Sequence, residues 1–172
     1  MKRYVLFLLL LSLPLSYSAR AEPVTAADLW PPCYMTVVLP NTQLLNVRTQ
    51  PKKDASTWGT FRGGDDVYVT ALDGAWATVD YENETGYVQL RYLEITANVA
   101  CTVVSNGRVR IREQPGGKAS SYYQNGELVM VLAWRFDSDG KLWARTSLGF
   151  VMSDFLELVE NDEDQEDDSY GE

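Results

Sequence analysis

No histidine occurs in the 172 residues. That absence excludes a Ser-His-Asp triad, a Cys-His peptidase dyad and any histidine-ligated zinc site. Cysteine is scarce, with two copies, so a four-cysteine zinc site is excluded as well. Basic residues are in deficit: 15 Lys and Arg stand against 24 Asp and Glu, a net charge of −9. Such a chain lacks the basic face with which nucleic-acid binders replace phosphate counterions. It is not drawn by charge to anionic lipids or anionic polymers in general. Beyond residue 15 no apolar run approaches the roughly 20 residues of a spanning helix, so no stable membrane insertion is expected there. No 3.6-residue apolar period persists for three turns either. What remains is a hydrophobic content of 45%, which is that of a globular protein.

The two ends differ from the middle. Lys2 and Arg3 precede an apolar stretch from Val5 to Leu15, and Ala19-Arg20-Ala21 is a small-x-small site. This predicts a secretory signal peptide over 1–21, cut between Ala21 and Glu22. The mature protein is then periplasmic or secreted. Losing Lys2, Arg3 and Arg20 takes the net charge from −9 to −12. Eight of the 13 residues in 160–172 are acidic, so most of that charge sits in the tail. The tail has too little apolar surface to offset ordering entropy and is expected to be disordered. It is dense in oxygen ligands but lacks the calcium loop with its sharp-turn glycine. No metal and no cofactor are expected.

The middle is a repeat. Leu45-Asn46-Val47-Arg48-Thr49-Gln50-Pro51 matches Val109-Arg110-Ile111-Arg112-Glu113-Gln114-Pro115. Gly64-Asp65-Asp66-Val67 matches Gly126-Glu127-Leu128-Val129, and Trp76-Ala77 matches Trp143-Ala144. Gly86-Tyr87-Val88 matches Gly149-Phe150-Val151, and Tyr92-Leu93-Glu94 matches Phe155-Leu156-Glu157. The order is kept in both copies. Each copy reads as short strands rich in Val, Trp and Thr, separated by turn pairs such as Asp73-Gly74, Asn125-Gly126 and Asp139-Gly140. Roughly five strands in about 60 residues predict a small antiparallel barrel. The expected organisation is a linker at 22–32, one barrel at 33–95, a connection at 95–99 and a second barrel at 99–159.

Both copies resemble the bacterial SH3-like (SH3b) domain. The first carries Leu45-Asn46-Val47-Arg48, Gln50-Pro51, Gly59-Thr60-Phe61-Arg62-Gly63, Ala75-Trp76, Thr85-Gly86-Tyr87-Val88 and Tyr92-Leu93. The second keeps the same order in weaker form. Gln stands where the family usually has Gly before Pro, and Tyr87 and Phe150 replace its terminal Trp. The resemblance covers nearly the whole of 33–159. It implies an all-β fold of two tandem small SH3-like barrels and a non-catalytic binding module of a bacterial cell envelope. Its ligand would be peptidoglycan or a peptide; a regulatory or interaction subunit that binds an envelope protein, without glycan affinity, is the alternative.

Particular residues carry further expectations. Arg108, Arg110 and Arg112 alternate with Val109 and Ile111, which on a strand aims three guanidiniums at one face. Arginine forks suit carboxylates, and a solvated outer face is the plainer alternative. Trp134 and Phe136 flank Arg135 in a segment five residues longer than its counterpart in the first copy. They stack on a sugar or peptide if the insertion projects, and are buried if it folds down. Trp76 and Trp143, at equivalent strand positions, are expected in the core. Glu82 and Glu84 lie too close in one hairpin to work as a carboxylate pair across a cleft. Cys33 and Cys101 open the two copies, and in an exported chain an even cysteine count favours a bridge, here closing a 68-residue separation.

Overall fold

Thirteen short strands and two 3₁₀ turns make up the described residues of the computed structural model, Pro23 and 32–159. The signal segment, most of 22–32 and the acidic tail lie outside the described residues. The first copy contributes β1 (Cys33–Val37), β2 (Leu44–Arg48), β3 (Thr57–Arg62), β4 (Asp66–Asp73), β5 (Trp76–Tyr81) and β6 (Glu84–Gln89). Then comes β7 (Leu93–Val103), the longest strand. The second copy contributes β8 (Val109–Arg112), β9 (Ala119–Tyr123), β10 (Leu128–Phe136), β11 (Leu142–Thr146), β12 (Gly149–Met152) and β13 (Leu156–Leu158). Turns at Leu90–Tyr92 and Ser153–Phe155 occupy matching places in the two copies.

All strands belong to one curled antiparallel sheet, ordered β3-β2-β6-β5-β4-β1-β7-β10-β11-β12-β8-β9, with β13 also on β7. The duplication is visible in that order. Read from either end, the sheet runs through matching strands to its middle, with the second half of β7 standing in the second copy where β1 stands in the first. Hydrogen bonds repeat with it. The Val37 N–H donates to the Asp65 carbonyl at 2.9 Å, and Val103 to Glu127 at 2.8 Å. Gly64 donates to Val37 at 2.8 Å, and Gly126 to Val103 at 2.7 Å. Both glycines have φ near +90°, at +90° and +81°, a region that side chains with a Cβ rarely adopt. Gly86 and Gly149 match as well. A Cβ at Gly86 would strike Val47, and one at Gly149 would strike the Arg112 carbonyl, so each glycine lets a neighbouring strand lie close.

Residues 95–99, expected as the connection, are strand. Glu94 pairs with Thr36 of β1 on one side and with Arg135 of β10 on the other. The pairing with β10 continues to Thr102, with a register shift between Val131 and Ala133. β13 pairs with 101–103 on the side of β7 away from β10, which is the side β1 occupies at 93–94. The buried side chains of both copies form one apolar cluster, from Met35 and Val37 through Trp134 and Phe136 to Leu156. Deletion of a large side chain from such a cluster typically costs about 2–5 kcal/mol.

The two thiols are free. The register explains it. With Thr36 opposite Glu94 and Val37 opposite Leu93, Cys33 lies level with residue 97 of β7. Cys101 is four residues further along, about 13 Å at the rise of a strand, whereas a bridge needs Cα atoms within about 7 Å.

Candidate functional site

The arginine stripe of β8 lies where the two-residue period puts it. Val109 and Ile111 are buried, Arg110 and, just before the strand, Arg108 are exposed, and Arg112 is half-buried. β9 pairs with β8 so that Tyr122 stands opposite Arg110, and the Arg108 guanidinium lies 5.0 Å from the Tyr122 ring centre. Arg112 is held differently. One of its Nη atoms donates to the Gly117 carbonyl, pinning the β8–β9 loop, while its guanidinium carbon lies 5.8 Å from the Trp143 ring centre. Met152 at the end of β12 and Phe155 in the following turn close the far side.

These side chains line a cleft of about 580 Å³ on the surface of the second copy. Its walls carry three guanidiniums and no carboxylate. Among the described residues the ion pairs join Glu94 to Arg135 and to Arg145, and none involves the β8 arginines. Tyr122 and Phe155 are 47% and 38% exposed, so the cleft offers apolar ring surface beside its charge. Trp143 is buried, and its indole N–H donates to the Asp137 carboxylate at 3.0 Å. The other oxygen of Asp137 accepts from the backbone N–H groups of Asp139 and Lys141, so one carboxylate holds the inserted β10–β11 turn over the indole.

Trp134 and Phe136 do not form a stacking face. They are 2% and 1% exposed. β10 alternates regularly through Val129 and Val131, but at the register shift against β7 both Ala133 and Trp134 become buried. The insertion folds down. Its Gly140, at φ +78°, comes so close to the backbone of Gly74 in the first copy that a Cβ would lie 2.5 Å from that carbonyl oxygen. Arg135, between the two aromatics, faces Glu94 at 3.9 Å and lies 5.5 Å from the Phe150 ring. Burial pulls its guanidinium below the ordinary arginine range; Glu94 opposes that and Arg145 adds to it.

Trp76, the first copy's counterpart of Trp143, is half-buried. Among the described residues no group of three or more Cys, Asp or Glu side chains is arranged to hold a metal ion. No helix there is long and apolar enough to cross a membrane. Sequence reasoning did not single out Tyr122 or Met152 for the cleft. β9 gave no alternation to read Tyr122 from, since Ser120, Ser121 and Tyr122 are all exposed and Tyr123 is buried.

No family model matches the chain. The uncharacterized protein YfhK of Bacillus subtilis (strain 168) is 27% identical over 138 residues, covering 78% of each chain. Among solved structures, NlpC2 of Trichomonas vaginalis is similar at 16% identity and a TM-score of 0.34, over 77% of this chain and 51% of that one. A candidate autolysin from Listeria monocytogenes is similar at 12% identity and a TM-score of 0.30, over 83% of this chain and 66% of that one. The chain thus spans about half the length of the NlpC structure.

Proposed function

We propose that this chain is an exported, non-catalytic binding protein of the bacterial envelope, built from two tandem SH3-like units. The second unit takes a carboxylate-bearing peptide, of the kind that stems from peptidoglycan, in the arginine cleft. The observation that carries this reading is the cleft itself: three guanidiniums without a carboxylate partner, in a chain of net charge −9. Guanidinium forks bind carboxylates through paired charge-assisted hydrogen bonds. Tyr122 and Phe155 add faces against which a sugar or an apolar peptide side chain can lie.

Co-sedimentation with purified insoluble peptidoglycan tests it. The intact protein is expected in the pellet at low and moderate salt, and Arg108→Ala/Arg110→Ala should bind about tenfold more weakly or worse, the loss of one or more charge-assisted hydrogen bonds. Intact protein that stays in the supernatant under both conditions sinks the wall-binding reading. The alternative, a protein partner, then takes its place. An exposed apolar strip favours that alternative: Leu128 and Met130 on β10 are 72% and 48% exposed, and Val159, which donates to the Ala100 carbonyl opposite Met130, is 39% exposed.

A further inference from the structure

The duplication repeats a surface as well as a sheet. A second groove, of about 310 Å³, lies on the first copy. Its walls include Leu44, Leu45, Asn46, Arg48, Gln89 and Tyr92. Those are the repeat counterparts of Arg108, Val109, Arg110, Arg112, Met152 and Phe155, all of which line the arginine cleft. The anchoring arginine is repeated too. Arg48 donates to the Ala55 carbonyl at 2.8 Å and so pins the β2–β3 loop as Arg112 pins the β8–β9 loop.

The charges have been redistributed rather than lost. Leu44 and Asn46 replace two of the arginines, but Lys53 and Arg91 enter the wall from the β2–β3 loop and the 3₁₀ turn. The groove again holds three cations and no carboxylate. Arg91 lies 4.7 Å from the Tyr92 ring centre and donates to the Tyr92 hydroxyl at 2.7 Å, which fixes a guanidinium and a ring side by side. No ion pair among the described residues involves Arg48, Lys53 or Arg91.

We infer that this first-copy groove, carried by Arg48, Lys53, Arg91 and Tyr92, is a second binding site for the same class of ligand, a carboxylate-bearing peptide. The inference rests on the reading of the arginine cleft given above. The first-copy groove is smaller, and one of its three cations is a lysine, which acts as a point charge without the bidentate fork. It is therefore the weaker site, by about tenfold, the equivalent of one charge-assisted hydrogen bond.

The test is a titration of the full chain with a soluble disaccharide-tetrapeptide fragment of peptidoglycan, followed by backbone amide shifts in NMR. Two separate groups of amides are expected to move, one over 108–112 and one over 44–48, with the second saturating about tenfold later. Lys53→Ala/Arg91→Ala, two exposed changes, should silence the 44–48 group and leave the other. Arg108→Ala/Arg110→Ala should do the reverse. Shifts confined to 108–112 overturn the second site and leave the first reading standing. Shifts at 44–48 that survive Lys53→Ala/Arg91→Ala also overturn it, because those cations would then not make the site. Shifts in neither group overturn the reading of the cleft, and the second site with it.

Discussion

Cys101 faces the core of the second copy, and burial pushes its thiol from an ordinary value near 9 up to about 11. Burial raises Cys33 as well, but Cys33 is only half-buried. The thiolate is the species that reacts with alkylating agents. Native protein at mildly alkaline pH should therefore take iodoacetamide at Cys33 first, with Cys101 protected until the fold opens. Unfolded without reductant, each chain should take two labels; a chain that takes none carries a bridge, and the free-thiol arrangement is wrong. The sign of the pH effect follows from the same burial. Above pH 9 the unfolded chain releases the Cys101 proton while the folded one keeps it, so stability falls as pH rises from about 9 toward about 11. From the sequence, pairing was the natural expectation, because cysteine count and export are composition-level facts. The register that separates the thiols is set by long-range pairing and has no local signature.

β7 is the element least legible in the sequence. Thr96, Ala97 and Asn98 are short or polar, and a register shift against β10 falls among them, so the alternation that marks a strand is broken there. The same shift put Trp134 and Phe136 in the core, although their two-residue spacing was read correctly as a shared face. By contrast the β8 stripe was legible down to the side chain, since its alternation is unbroken from Arg108 to Arg112. Glu94 shows what β7 does. Its carboxylate faces Arg135 at 3.9 Å and accepts from Arg145 at 3.1 Å, so a first-copy residue clamps β10 and β11 of the second. Glu94→Gln leaves two guanidiniums facing each other across an uncharged amide. Arg145 is 37% exposed and partly screened by solvent, so the expected loss is about 1–2 kcal/mol, below the 3–5 typical of a fully buried pair. Urea unfolding measures it. No change would show that the clamp contributes nothing to holding the copies together.

The repeat announced two similar units, and the matched hydrogen bonds and strand order bear out the duplication. It did not announce that they share a strand and one continuous apolar cluster. A shared core predicts one cooperative transition. Calorimetry on the chain should give a single endotherm whose van't Hoff and calorimetric enthalpies agree. Two resolved transitions would show that the copies melt independently. A chain begun at residue 99 would lose the pairings of Thr96, Ile95 and Glu94 with Ala133, Trp134 and Arg135, and should be much less stable than the whole. The far wall of the cleft was illegible for a similar reason. Met152 and Phe155 reach it only because β12 lies against β8, a pairing between residues nearly 40 apart, Phe150 and Arg112. The residue types of a cation-rich face were readable locally; its depth was not.

β1 and β13 lie end to end along one side of β7, and this brings the two ends of the described fold together. β1 starts level with residue 97 of β7, and Val159, just beyond β13, donates to the Ala100 carbonyl. Three residues of strand separate those levels, about 10 Å. The topology is thus nearly a closed ring. A few linking residues could seal Cys33 to Val159, and new ends could be opened at an exposed turn such as Glu82-Asn83 without reordering a single strand. Pro23, upstream of β1, comes back to the same seam and bridges to Glu157 of β13, so the chain ahead of the first strand is clasped by the last one.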